Sequence, residues 1–98
     1  MMAATVHVVA RFVAKPGKED EVRAILTGLV APSRREVDCY QYDLLTNPSD
    51  PRDFCFVERW AHDAALDQHA QTPHHKTARA QVDDLLEVPP DVRRYRIL

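Results

Sequence analysis

The sequence predicts a single α+β domain over residues 1–98, with a four-stranded antiparallel sheet and helices on one face of that sheet. Two observations carry this prediction. A chain of 98 residues has room for one hydrophobic core. The spacing of its apolar residues also changes between the two-residue period of strands and the 3.6-residue period of helices, in the order strand, helix, strand, strand, helix, strand.

The first strand is predicted at 5–14, where valines and Phe12 give the segment a high β-branched and aromatic content. A Lys-Pro-Gly turn at 15–17 and an amphipathic helix at 18–35 follow. We expect Pro32 to kink or to end this helix, because proline has no backbone N–H to donate. The apolar stripe of the helix is formed by Val22, Ile25, Leu26 and Leu29.

Strands at 39–46 and 54–60 flank the turn-forming residues at 47–52, which predicts a hairpin. Folding it about the middle of the loop gives paired residue numbers that sum to about 98 or 99. Under either sum Cys39 and Cys55 lie too far apart for a disulfide, so we expect two reduced thiols. An even sum places one set of side chains on a single face, namely Tyr40, Tyr42, Leu44, Phe54, Phe56, Glu58 and Trp60.

In the second half a short helix is predicted at 63–70, and a longer one begins after Thr72, a good N-cap, and ends before the prolines at 89–90. Residues 92–98 return to an extended pattern. This order of elements is the ferredoxin-like split β-α-β arrangement. Helices cover only one face of such a sheet and the other face also carries apolar side chains, so we expect a homodimer.

Charge and composition exclude several classes of protein. Thirteen basic against fifteen acidic residues leave no excess positive charge for phosphates, so nucleic acid is not an expected partner. No apolar stretch approaches the roughly 20 residues that cross a bilayer, and the N-terminus lacks a signal-peptide pattern, so a cytoplasmic location without membrane contact is expected. Two glycines are too few for a nucleotide-binding fingerprint, and no cofactor is expected.

Four of the five histidines lie within 62–75. His74 and His75 fall in the first turn of the longer helix, where the helix dipole disfavours the imidazolium and leaves a neutral ring suited to act as a general base. The alternative is that these histidines cap the helix and pair with neighbouring acids. A metal site made of imidazoles and Glu58 is not expected, because His69 lies on a different helix and adjacent histidines point about 100° apart.

The hairpin and the first strand supply further candidates. Glu58 is an inward-facing carboxylate that needs a partner such as arginine or histidine. On the first strand, His7 and Arg11 share one side, where they line a pocket or pair at the dimer interface. Three aromatic side chains form either a core between sheet and helix or a flat wall for an aromatic ligand: Tyr42, Phe56 and Trp60.

Four segments carry a family resemblance: Val8 to Lys18, Tyr42-Asp43-Leu44, Glu58-Arg59-Trp60, and Leu66-x-x-His69-x-x-Thr72-Pro73-His74. Together they cover almost the whole chain and resemble the antibiotic biosynthesis monooxygenase family. The resemblance implies a dimeric α+β barrel of ferredoxin-like subunits. It also implies four catalytic candidates, which are Glu58, Trp60, His69 and His74.

Members of this family include cofactor-free oxygenases of anthrones and polyketide phenols, quinol monooxygenases, haem-degrading oxygenases and a sugar-phosphate isomerase. The haem-degrading members use an asparagine on the first strand. Here the single asparagine is Asn47 in the hairpin loop, so haem degradation is not expected. Relatives commonly carry an aromatic residue or methionine after His74, and the His75 found here changes the pocket.

The leading hypothesis is a cofactor-independent monooxygenase that deprotonates an electron-rich phenol, quinol or anthrone, so that the carbanion reduces O2. His69 or His74 would be the base. Arg11 or Arg59 would stabilise the developing oxyanion. The alternatives are an isomerase of a small metabolite that uses the same pocket without oxygen, and a ligand-binding dimer without catalysis. The substrate-binding candidates are His7, Arg11, Tyr42, Phe56, Arg59 and His75.

Overall fold

The computed structural model describes residues 4–98 and has the predicted ferredoxin-like order. Its elements are β1 (Val6–Val13), α1 (Glu19–Arg34), β2 (Cys39–Asn47), β3 (Asp50–Trp60), α2 (Asp63–Ala70), α3 (Pro73–Val82), a 3-10 turn (Asp83–Leu85) and β4 (Asp91–Tyr95). The four strands form one sheet in the order β2-β3-β1-β4. Every neighbouring pair is antiparallel, which confirms the predicted fold class.

The side chains of β1 alternate between two environments. Val8 and Phe12 are buried beneath the helices, whereas Val9 and Arg11 face away from them. The same parity holds on β3. The helices close over the buried face with their own apolar residues, chiefly Val22, Leu26, Leu29, Ala78 and Val82. The core therefore lies between one face of the sheet and the three helices.

The hairpin has the predicted even parity but a different register. In its centre Tyr42 pairs with Glu58, so the paired residue numbers add up to one or two more than the expected sum. The cause is a tight turn at 48–49 followed by three residues of β3, 51–53, that have no partner on β2. A second register shift after Cys39 takes Tyr40 out of the predicted set and leaves it 55% exposed.

The helix ends agree with the sequence to within one or two residues, with one exception. α1 runs through Pro32 and stops at Arg34. The Thr72 hydroxyl accepts a hydrogen bond from the His75 backbone N–H at 3.3 Å, as an N-cap does. α3 ends at Val82, earlier than the apolar stripe suggested, because the chain tightens into the 3-10 turn before Leu86.

Residues 4–98 leave the face of the sheet opposite the helices uncovered. Val9, Leu45 and Tyr95 are exposed there, and β4 is exposed along its whole length. The last strand is shorter than predicted and ends at Tyr95. None of the helices within residues 4–98 is both long enough and apolar enough to span a bilayer.

Candidate active site

A cavity of about 200 Å³ lies between the sheet and the helices. Its walls are mostly apolar and come from β1, β3 and all three helices, including Val8, Phe12, Phe56, Leu26, Leu66 and Val82. Among the described residues, four polar side chains reach it from four elements of the fold: Tyr42, Glu58, His69 and His75. Two arginines that are partly exposed, Arg79 and Arg94, complete the lining.

Glu58 and Trp60 lie two residues apart on β3 and therefore share the covered face. The Trp60 indole Nε1–H donates a hydrogen bond to Glu58 Oε1 at 2.8 Å, and both residues are buried. The prediction of an arginine or histidine partner for Glu58 is therefore wrong, because the Trp60 indole is its hydrogen-bond partner. Burial raises the pKa of Glu58 to about 7, against the lowering effect of the Trp60 hydrogen bond and with a smaller rise from the charge of Glu36.

His69, in the last turn of α2, is 3% exposed and borders the cavity. Its ring lies against Trp60 at 4.7 Å and against Tyr42 at 5.3 Å between centroids. Its Nδ1 lies 2.6 Å from Glu36 Oε2. A carboxylate oxygen only accepts, so Nδ1 carries the proton and Nε2 is the acceptor. Burial lowers the pKa of His69, opposed by Glu36.

Glu36 is the site residue that the sequence analysis missed. It follows the end of α1, in a reversal where Asp38 adopts a left-handed φ of 66°. The same oxygen that accepts from His69 lies 2.7 Å from His74 Nε2. A carboxylate just beyond a helix C-terminus is disfavoured by the helix dipole, and that position was the available signal that Glu36 has a specific partner.

The two adjacent histidines of α3 have different surroundings. His75 lines the cavity, and its ring meets that of His69 edge to face at 4.7 Å. Burial lowers the pKa of His75 to about 4, with smaller contributions from His69 and Arg79, so its ring is neutral at neutral pH. His74 lines a separate groove between α1 and α3. The predicted pairing of histidines with acids therefore holds for His74, while His75 is the one that reaches the cavity.

Three sequence-derived candidates lie on the uncovered face, away from this cavity. His7 and Arg11 occupy odd-numbered positions of β1, and Arg59 pairs with His7 across the ladder. Arg11 Nε bonds Asp53 Oδ1 at 2.8 Å, and the Arg59 guanidinium lies 5.7 Å from the centre of the Tyr40 ring. The structure does not bring these three side chains to the site, because residues of odd number on these strands point away from the helices.

The chain is similar to known proteins over most of its length. A family model described as antibiotic biosynthesis monooxygenase matches residues 5–81. The chain belongs to this family. The matched range includes Glu36, Glu58, His69 and His75, whereas β4 with Arg94 lies outside it.

Individual proteins are similar to this chain over most of their own length. The chain is 38% identical over 88 residues to a Mycobacterium tuberculosis protein named "Putative monooxygenase Rv0793", covering 90% of this chain and 86% of that one. It is 35% identical over 83 residues to "Putative monooxygenase YcnE" of Bacillus subtilis, covering 85% and 87%. The solved structure of PA3566 from Pseudomonas aeruginosa superposes with a TM-score of 0.93 at 33% identity, over 100% of this chain and 98% of that chain.

Proposed function

We propose that the protein is a cofactor-independent monooxygenase that oxidises an electron-rich phenol, quinol or anthrone with O2. The observation that carries the proposal is a histidine fixed by a carboxylate at the wall of an apolar cavity. The Nδ1–H of His69 donates to Glu36, which leaves the other ring nitrogen as a proton acceptor. The same histidine is buried beside aromatic rings that suit an aromatic ligand.

The chemistry balances without any other reductant. The base takes a proton from the substrate, and the resulting anion transfers one electron to O2. The substrate radical and superoxide then combine into a peroxide bonded to a ring carbon. The O–O bond breaks, one oxygen stays on the substrate, and the other leaves as water with the two hydrogens that the substrate has lost. The proton held by His69 returns to that leaving oxygen.

The remaining polar groups of the cavity have assignable roles in this proposal. Tyr42 and Phe56 lie 4.8 Å apart between ring centroids with their planes tilted by 39°, and together they form an aromatic wall. Trp60 supports His69 from behind and holds Glu58. Because the pKa of Glu58 is raised to about 7, its protonated carboxyl can donate a hydrogen bond to the substrate oxygen that becomes negative. Glu58 thus replaces Arg11 and Arg59 as the stabiliser of the oxyanion.

The size of the cavity narrows the substrate class. Its volume of about 200 Å³ lies below the roughly 300–1,000 Å³ of pockets for drug-sized ligands. One- and two-ring substrates, such as hydroquinones and naphthols, therefore fit the proposal better than three-ring anthrones.

Oxygen uptake tests the proposal directly. Chelator-treated protein is assayed against hydroquinones, naphthols and anthrones, with the wild type compared with His69→Ala and with the His69→Ala/His74→Ala double variant. We expect uptake above the spontaneous rate for small quinols, lost in both variants. Unchanged turnover in both variants would rule out the assignment of the base. Conversion under anaerobic conditions would indicate an isomerase, and stoichiometric binding without product would indicate a ligand-binding protein.

We also propose that the uncovered sheet face is buried in a homodimer. Exposed Val9, Leu45 and Tyr95 give that face apolar side chains next to charged residues such as Arg11. Sedimentation of the wild type and of Val9→Glu tests the proposal. We expect a dimer for the wild type and dissociation to folded monomers for the variant, because a buried unpaired carboxylate is costly. A monomeric wild type at micromolar concentration would contradict it.

A further inference from the structure

Three potential metal ligands meet just outside the cavity. Glu36, His69 and His74 each offer one ligand atom, and these atoms all lie within 4.8 Å of one another. Glu36 Oε2 lies 2.6 Å from His69 Nδ1 and 2.7 Å from His74 Nε2. The residues come from three separate places in the chain, the end of α1, the end of α2 and the start of α3. The fold alone brings them together.

Two imidazole nitrogens and one carboxylate oxygen form a well-matched donor set for a divalent transition metal. It is the set of open zinc sites, in which three protein ligands leave a fourth position for water. The side chains of His69 and Glu36 are 4% and 12% exposed, and that of His74 is 26% exposed. The cluster is thus buried on the cavity side and accessible on the His74 side, where an ion and its water can enter.

The three donor atoms would have to shift to reach the distances of a bound ion. Metal–ligand bonds of about 2.0–2.2 Å in a tetrahedral site separate the donor atoms by roughly 3.3 Å. The two hydrogen-bonded separations would therefore have to open by about 0.7 Å. The separation between the two histidine nitrogens, which is up to 4.8 Å, would have to close to the same value. His74 lies in the first turn of α3 and Glu36 lies beyond the last turn of α1, so both side chains stand at helix ends rather than within the sheet.

We propose that Glu36, His69 and His74 bind one divalent transition metal ion, with Zn²⁺ as the fitting class. The ion takes the place of the hydrogen bonds that converge on Glu36. The sequence analysis dismissed a metal site because the histidines lie on different helices, and the structure shows how Glu36 joins the two helices. The ligand set also differs from the one considered there, since Glu36 stands where Glu58 was expected.

Metal binding and the role of His69 as a base exclude each other. This inference rests on the proposed function. A metal on Nδ1 forces the proton of neutral His69 onto Nε2, because only one ring nitrogen can carry it. The second ring nitrogen then donates instead of accepting. Zn²⁺ should therefore inhibit oxygen uptake in proportion to its occupancy, and a chelator should restore it.

Direct titration with Zn²⁺ and Co²⁺ tests the site without reference to turnover. Tag-free, chelator-treated wild-type protein should bind one equivalent of Zn²⁺ by calorimetry, and Co²⁺ should develop the visible absorption of a site with histidine ligands. Glu36→Gln and His74→Ala should each weaken binding by at least about 100-fold. His7→Ala, which removes a histidine from the opposite face, should bind like the wild type.

Three outcomes would overturn the metal site. They are no binding by the wild type, undiminished binding by both ligand variants, and loss of binding in His7→Ala. Circular dichroism of each variant without metal shows whether a loss reflects unfolding, and Glu36→Asp is a second variant that keeps the carboxylate. Absence of metal binding with normal oxygen uptake would leave the proposed function intact. One equivalent of bound Zn²⁺, together with no oxygen uptake by the chelator-treated, metal-free protein, would support the site and contradict the function.

Discussion

The two faces of the sheet carry similar kinds of side chain with very different surroundings. On the covered face, Glu58, Trp60 and His69 are buried together and share hydrogen bonds or ring contacts. On the uncovered face, His7 and Arg59 are backbone partners across β1 and β3. The Arg59 guanidinium lies over the Tyr40 ring, and Arg11 bonds Asp53. Residue type therefore does not decide which residues can act together. Position parity and the helices above the sheet do.

This difference has an electrostatic consequence. On the covered face burial dominates, and the pKa of Glu58 rises to about 7. On the uncovered face hydrogen bonds dominate, and those from Arg11 and Asn47 hold the pKa of Asp53 below its usual range. Two carboxylates on one strand, five residues apart, thus shift in opposite directions.

The largest effect is expected for the loss of the proposed base. His69→Gln removes the ring nitrogen that accepts the proton, and we expect kcat for oxygen uptake to fall about 100- to 1,000-fold. His7→Gln, the equivalent change on the uncovered face, should leave kcat unchanged. Steady-state oxygen uptake with the best quinol measures both. Equal losses of kcat in the two variants would show that the two faces of the sheet do not differ in their contribution to turnover.

The next effect concerns the dependence of stability on pH. The pKa of Glu58 is raised from 4.5 to about 7 by folding, so its contribution to stability is complete below 4.5 and is lost as pH rises through about 7. The loss amounts to about 3 kcal/mol across this window. Glu58→Gln should remove this pH-dependent loss of stability, because glutamine does not ionise but keeps an oxygen that accepts from the Trp60 N–H. Urea unfolding of both proteins at several pH values measures the difference.

Asp53→Asn is the control of opposite sign. Because the folded pKa of Asp53 is lowered, its contribution is present above its unfolded value of 3.8 and is lost as pH falls through the folded pKa. The asparagine variant should therefore lose stability relative to the wild type at neutral pH and not at low pH.

For Glu58, parallel curves of unfolding free energy against pH in the wild type and Glu58→Gln would contradict the argument that burial raises the pKa of this carboxyl.

A smaller effect is expected for Trp60→Phe. The variant keeps an aromatic ring and removes the indole N–H, so Glu58 loses its hydrogen-bond donor in a buried position. An unsatisfied buried polar group costs about 1–3 kcal/mol of unfolding free energy. Tyr40→Phe removes a polar group from an exposed ring that lies under Arg59 and should change little. Chemical denaturation measures the unfolding free energy of both variants. An equal loss in Trp60→Phe and Tyr40→Phe would contradict a special cost of removing the donor to Glu58.

The smallest effect is expected at the junction of α2 and α3. Thr72 Oγ1 accepts from the His75 N–H and donates to the His69 carbonyl oxygen at 2.7 Å, so it joins the two helices. Thr72→Ala should lower the unfolding free energy by about 1 kcal/mol, whereas Thr72→Ser should retain most of it. Thermal unfolding measures both. An alanine variant as stable as the serine variant would show that the cap contributes nothing.

Most of the fold is predictable from the sequence, because period and turn chemistry are local properties. The stripe of α1 and the N-cap at Thr72 appear in the structure as expected. The hairpin register is not predictable in the same way. It depends on residues 51–53, which have no partner on β2. Pro51 has no N–H to donate, but this does not indicate on which strand the extra residues lie.

The candidate site is predictable only in part. Glu58, Trp60 and His69 follow from parity and helix spacing, together with the family resemblance. Glu36 does not, since its partners are separated from it by 33 and 38 residues and its own neighbourhood is a short loop. The choice between His74 and His75 also needs coordinates, because it depends on how α3 is rotated about its axis.

The long separations within the site bear on the order of events during folding. The hydrogen bonds of Glu36 close loops of 33 and 38 residues, and these loops contain the whole β2–β3 hairpin. Loop-closure entropy makes such contacts costly until the sheet that spans them exists. No fragment that stops at Trp60 holds Glu36 together with either histidine. Recovery of the site during refolding should therefore coincide with formation of the complete domain and should not precede it.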